Sequence, residues 1–194
     1  MEIEKDLLNV LEIDKNIFLK DIPQIDLYMD QVIQLFENTF NSTKRNEDEK
    51  ILTKTMINNY AKGKLLFPIK NKKYSREHLL LLSMIYQLKS GLSINDIKAT
   101  LNGVNDRIMN DEEFDLEEFY KSYLALYKKN TAEFKEDIDT KIKDVTEELG
   151  SAEDEQLKKV LLILSFITAG QFYRRAAETL VDELIIEQGE KKEK

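Results

Sequence analysis

An all-α fold is what the sequence predicts, on three observations. Six glycines and two prolines in 194 residues leave few interruptions, which favours long helices over a strand-and-turn architecture. Apolar residues recur three and four apart along much of the chain, as in Tyr28, Val32, Leu35 and Phe36, the spacing of one helix face. Ser, Thr or Asp precedes several of these runs and Gly follows them, the usual start and stop signals.

The elements follow in order. Residues 2–13 alternate charge with Ile3, Leu7, Leu8 and Leu11 and predict a short amphipathic helix. Pro23 marks the entry to a helix from about Asp26 to Phe40. Asn41 to Glu49 has no apolar face and reads as a loop. A helix over about 53–63 comes next, with Thr53 as its N-cap and Met56, Ile57 and Tyr60 on one face. Gly63 is the expected left-handed C-cap. After Leu65, Leu66, Phe67 and Pro68, the segment Ile69–Tyr74 is short, basic and extended, a small hairpin or wing. Ser75 caps a helix that buries Leu79, Leu82, Ile85, Tyr86 and Leu88 and that Gly91 ends. Ser93 and Asp96 make a capping box with Asp in place of Glu. They open a short helix carrying Ile94, Ile97 and Leu101, which Gly103 closes.

The second half differs. Asp111–Asp115 is acidic, which suits a helix N-terminus. Apolar positions then continue from Phe119 to Leu149, where Gly150 and Ser151 break the pattern. A last helix is expected from about Ala152 to Gln188. Its centre, Val160–Tyr173, is apolar on nearly every side, so other helices should enclose it. The two long helices predict an antiparallel hairpin that buries its seam against the first half, a second subunit, or both. The expected division is a helical head over 1–105 and a hairpin for dimerisation, effector or partner binding over 106–194.

Composition excludes much chemistry. Without cysteine there is no disulfide, thiolate metal site or thiol nucleophile, and a single His removes most His-based metal and acid–base schemes. No Gly-rich phosphate loop or Ser-His-Asp set is present, so neither an enzyme nor a cofactor is expected. The carboxylates from Asp111 to Glu118 read as a solvated helix start rather than a metal site, and His78 as structural. The acidic first 20 residues do not read as a signal peptide, and the stretch 160–173 is too short to span a membrane. The default location is the cytoplasm.

Charge is uneven. The net charge is −8, yet residues 50–98 carry ten lysines and arginines against only Glu77 and Asp96. That window is +8 and the remainder −16, as in a basic module attached to an acidic partner region.

The ordered set Thr53, Ile57, Tyr60, Leu65-Leu66-x-Pro68, a basic loop, Tyr74, then Leu79…Ile85…Leu88 and Gly91-Leu92-Ser93-Ile94-x-Asp96-Ile97-Lys98 resembles the winged helix-turn-helix head of MerR-type transcription regulators. Asn58-Asn59-Tyr60 stands where those heads usually read Arg-Tyr-Tyr, and Gly63 falls one residue early, with Lys64 in its place. A second resemblance rests on Ile22-Pro23-x-Ile25-Asp26-Leu27-Tyr28-Met29-Asp30-Gln31-Val32 with Leu52-Thr53-Lys54-Thr55-Met56-Ile57-Asn58-Asn59-Tyr60. It is to an uncharacterised family of Firmicute-type bacteria known only as a domain of unknown function. The MerR likeness implies a recognition helix over 53–63 and a basic wing over 69–74. Lys54, Thr55, Asn58 and Asn59 are then candidates for base edges, Asn because its amide pairs with adenine. Lys62, Lys64, Lys70, Lys72, Lys73 and Arg76 would meet phosphates, and Tyr60 could bond one. The expected partners are duplex DNA and a second copy of the chain. The alternative is a head that has lost DNA and contacts a protein through its acidic C-terminal half. Phe166, Phe172 and Tyr173 could line a small-molecule pocket, though core packing suits them better.

Overall fold

In a computed structural model the described residues are 7–8, 10–110, 113–150 and 154–192. They form six α-helices and one two-stranded sheet: β1 (Leu27–Tyr28), α1 (Met29–Phe40), α2 (Lys54–Lys62), β2 (Lys73–Tyr74), α3 (Arg76–Leu88), α4 (Ile94–Met109), α5 (Leu116–Leu149) and α6 (Glu155–Lys192). Half of the helix expected over 2–13, residues 2–6 and 9, lies outside the described residues; Leu7, Leu8, Val10 and Leu11 are helical, and Glu12 (φ 44°) and Ile13 are not. Asp111, Glu112, Ser151 and Ala152 also lie outside them. Among the described residues no helix is long and apolar enough to cross a membrane.

The strands correct the first element. Leu27 and Tyr28 are the expected opening of a helix, but they pair antiparallel with Tyr74 and Lys73. The partner strand lies far along the chain, so local periodicity carries no sign of it. The helix starts one residue later, where the Tyr28 N–H donates to Gln31 Oε1 at 2.9 Å.

α3 is the hub. His78 to Ile85 are buried without a break, and Leu79–Leu82 are fully enclosed. One apolar side was expected; in fact the helix is covered all round. Phe36 and Phe40 of α1 meet Tyr86, the latter stacked at 4.3 Å between centroids. On another side Tyr120 of α5 contacts Ser83, hydroxyl to hydroxyl, at 2.7 Å and donates to Ile17 O at 2.8 Å. This core runs from Ile17 to Tyr120, so the start of α5 packs with the head.

α4 corrects another expectation. Gly103 does not end it; the helix continues to Met109 and buries Asn105. A mid-helix glycine costs about 1 kcal/mol relative to alanine. Packing of Val104 and Ile108 against the core outweighs that. Its capping box forms as expected, with Ser93 Oγ accepting from Asp96 N.

The end of α2 is a six-to-one cap. Leu65 N–H bonds Tyr60 O at 2.9 Å and Lys64 N–H bonds Ala61 O at 3.1 Å, the Schellman pattern. The left-handed residue is Lys64 (φ 60°), not Gly63 (φ −72°). Gly63 is required for another reason: a Cβ there would lie 2.9 Å from Leu65 Cδ1 and 3.1 Å from Asn59 O. A lysine in this conformation is strained, so Lys64→Gly should raise unfolding free energy by about 0.5–1 kcal/mol, read as a higher urea midpoint at unchanged slope.

His78 is structural, as expected. It is buried, its ring lies 3.7 Å from Phe67 between centroids, Nδ1 accepts from Ser75 N–H at 3.1 Å, and Nε2 faces Phe67 O at 3.2 Å. Burial lowers its pKa below 6.5, against smaller upward pulls from the Phe67 carbonyl, Glu77 and Asp26. The unfolded chain therefore takes up this proton first as pH falls. The stability contributed by neutral His78 is complete above about pH 6.5 and is lost as pH drops below it. Urea midpoints measured from pH 7.5 downward should fall, and His78→Gln should flatten that part of the profile.

α5 and α6 form the antiparallel hairpin. Ile138, Ile142 and Val145 pack with Leu162, flanked by Leu149, Leu161 and Phe166. Further along, Gln188 Nε2 donates to Ala99 O on α4 at 2.9 Å. Full enclosure of α6 does not occur within one chain. Leu157, Val160, Ile163, Leu164, Ile167, Phe172 and Tyr173 are all exposed. Phe172 and Tyr173 are 67% and 81% exposed, and Tyr173 lines an open pocket of about 390 Å³ with Asn130, Glu133, Phe134 and Asp137 of α5 rather than with Phe166.

Candidate nucleic-acid interface

α2 is sharply two-sided. Thr53 Oγ1 accepts from Met56 N at 3.2 Å and starts the helix as expected. Ile57 and Tyr60 are buried on one side. Lys54, Thr55, Asn58, Asn59 and Lys62 are exposed on the other, at the one-and-four spacing of a single helix stripe. No carboxylate belongs to this stripe, although Asp30 of α1 reaches Lys54 at 2.7 Å. That pair is exposed on both sides and so contributes little.

From the cap at Lys64 the chain passes through buried Leu65 and Leu66 to a tight turn. Lys73 N–H bonds Lys70 O at 2.9 Å, and Asn71 (φ 52°) and Lys72 (φ 59°) are both left-handed. Two positive φ angles in a two-residue connection are the type I′ hairpin requirement. Lys64, Lys70, Asn71 and Lys72 are exposed. The turn thus holds three lysines and one amide at its tip, with Lys73 half-buried and its Nζ 5.2 Å from the Tyr28 ring centroid.

The family model for Domain of unknown function (DUF1836) matches residues 17–123, more than half of the chain. The chain belongs to this family. No curated protein and no solved structure matches the chain. The DUF1836 segment coincides with the large core, which begins at Ile17, closes at Tyr120 and has Tyr123 packed on its edge. The basic face of α2 and the lysine turn therefore belong to the family domain itself, while most of the α5–α6 hairpin lies beyond the matched segment.

Within the DUF1836 domain two expected site residues are not on the exposed face. Tyr60 is buried, and burial raises its pKa above 10.0. Arg76 is turned inward: Nη1 donates to Ile22 O at 2.8 Å, Nη2 to Leu19 O at 3.1 Å, and Nε pairs with Glu117. It ties the segment before β1 to α3 and α5. A sequence window showing only its positive charge cannot show these carbonyl partners. Lys89 is likewise inward, donating to Ile51 O at 2.6 Å, with its Nζ 4.3 Å from the Tyr86 ring centroid. Burial lowers its pKa from 10.5, opposed by Glu49.

Asn71 is the residue that the sequence reading passed over. Its signal was legible: Asn is favoured at the left-handed positions of hairpin turns. The acidic start of α5 has a structural role in the part described, because Asp115 Oδ1 caps Glu118 N–H at 3.0 Å.

Proposed function

We propose that this chain is a DNA-binding transcriptional regulator of MerR-like type, gripping duplex DNA with α2 and the Lys70–Lys73 turn. The observation that supports it is the α2 stripe of Lys54, Thr55, Asn58, Asn59 and Lys62, cationic and amide-bearing, set beside the lysine turn. An exposed helix with such side chains suits the major groove, where an Asn amide bonds adenine through two hydrogen bonds. Lys62, Lys64, Lys70 and Lys72 are the phosphate contacts in this reading. Tyr60 and Arg76 support the interface from within.

The regulator acts as a homodimer in this reading. Leu157, Val160, Leu164 and Ile167 are exposed on α6 at three- and four-residue spacing, the seam pattern of paired helices. A second copy supplies the same stripe and sets two heads at a half-site spacing. Light scattering should give twice the 22.7 kDa chain mass, and Val160→Glu with Leu164→Glu should give the monomer.

Duplex DNA titrated with the full chain should bind at micromolar or tighter Kd and weaken steeply with added salt. Absent or salt-insensitive binding overturns the reading. The −16 charge outside residues 50–98 favours the second reading, in which the head keeps its fold but has lost DNA and the acidic remainder contacts a protein. Retention of one stoichiometric protein partner with no DNA retention selects it.

A further inference from the structure

We propose that the cleft between the end of α2, the Leu66–Ile69 arm and α4 is a binding site for a small, neutral aromatic molecule that carries an N–H or O–H donor. The cleft has a volume of about 580 Å³, within the range of small-molecule sites. Its walls are mainly apolar, from Leu66, Phe67, Pro68, Ile69 and Met109. Lys64 and Asp106 stand in the lining with opposite charges, and Asp106 already accepts from Asn102 at 2.9 Å. The two charges offset, so the site favours a neutral ligand.

Asn105 supplies the polar specificity. It lines the cleft and is only 6% exposed. Its Nδ2 donates to Leu65 O at 3.0 Å and to Leu101 O at 3.1 Å, which fixes the amide's orientation. Its Oδ1 is left without a hydrogen-bond partner, the one such buried side-chain atom among the described residues. Buried acceptors are rarely left so in folded proteins. A ligand donor satisfies it, and an analogue without that donor leaves it unpaired, which is how buried polar groups discriminate. Met109, exposed and unbranched, is the part of the lining that gives way to admit a ring against Asn105. The sequence marks the position: Asn105 continues the four-residue spacing of buried Ile97 and Leu101.

Occupancy would act on the DNA reading as well. Leu65, whose carbonyl Asn105 holds, closes the cap of α2 with its N–H beside that of Lys64, and the arm leads on to the Lys70–Lys73 turn. A ligand held by Asn105 therefore stiffens the connection between the two parts of the basic face. That regulatory consequence rests on the proposed DNA binding; the site itself does not.

The test uses the full chain without DNA, with methionine methyls and side-chain amides followed by NMR. The probes are indole and its isostere benzothiophene, which lacks the N–H. Indole should shift the Met109 methyl and the Asn105 amide saturably, and benzothiophene should bind about tenfold more weakly. Asn105→Leu should erase that preference. Should that variant fail to fold, Met109→Lys at the exposed position decides, by weakening indole at least severalfold. No saturable shift, equal binding of the two probes, or shifts confined to other methyls overturns the proposal. Loss of DNA binding in a separate titration, with the indole result intact, overturns only the regulatory consequence.

Discussion

Replacing Lys62, Lys70 and Lys72 together by alanine is expected to weaken duplex binding by on the order of a hundredfold at moderate salt, without loss of fold. All three are exposed, and none forms an ion pair among the described residues. Their contribution to the folded state is therefore small, and their contribution to a polyanion's field is large. Each phosphate neutralised releases counterions and adds about 0.9 to the slope of log affinity against log salt. The triple variant should therefore lose about 2.7 of that slope, a change no general loss of active protein would produce. Asn58→Ala and Asn59→Ala should behave differently. They should leave the slope in place and relax base preference, at about 1–3 kcal/mol for each lost bidentate contact. Tyr60→Phe serves as a control, because the Tyr60 ring is part of the buried core and loss of its one hydroxyl takes away no positive charge and no amide. Salt titrations by fluorescence anisotropy distinguish the three classes.

The second large effect concerns Tyr120. Tyr120→Ala should lower unfolding free energy by about 3–5 kcal/mol, the range for truncating a buried aromatic ring. The side chain is 0% exposed and is among the largest fully buried in the chain. It joins three separate parts of the sequence, since its hydroxyl meets Ser83 of α3 and Ile17 O while its ring belongs to α5. The Tyr123 ring lies tilted beside it, 5.4 Å between centroids, and its hydroxyl accepts from Asn16 Nδ2 at 2.9 Å. Tyr127 donates to Ile13 O and Lys15 O. These phenols hold the segment before the sheet against α5, and burial is the first cause of the raised pKa of each. Tyr120→Phe keeps the ring but leaves Ile17 O without its donor, and should cost about 1–3 kcal/mol. Chemical denaturation of both variants checks the pair. A Tyr120→Ala cost below 1 kcal/mol would mean that α5 does not close the head.

The helices were legible because their signals are local. Thr53, Ser75 and Ser93 all stand as N-caps, and the break at Gly150 separates the two long helices. What the sequence hid was non-local. β1 depends on a partner beyond α2, Arg76 on two distant carbonyls, and the second buried side of α3 on Tyr120. Glycine misled twice, at Gly63 and Gly103, because its local meaning was overruled by a close approach in one case and by packing in the other. At the candidate interface, the lysines of α2 and the turn were readable from charge and helical spacing. Which basic residues point inward was not, since Arg76 and Lys89 look the same in sequence as Lys62.

The central claim is that α2 and the lysine turn read duplex DNA. Selection of bound duplexes from a random pool, carried out with the full chain at two salt concentrations, tests it most directly. The account predicts a recovered motif containing adenine at positions lost in Asn58→Ala or Asn59→Ala, with far lower yield at the higher salt. Recovery of unenriched sequence at both salts, or retention that ignores salt, would contradict it.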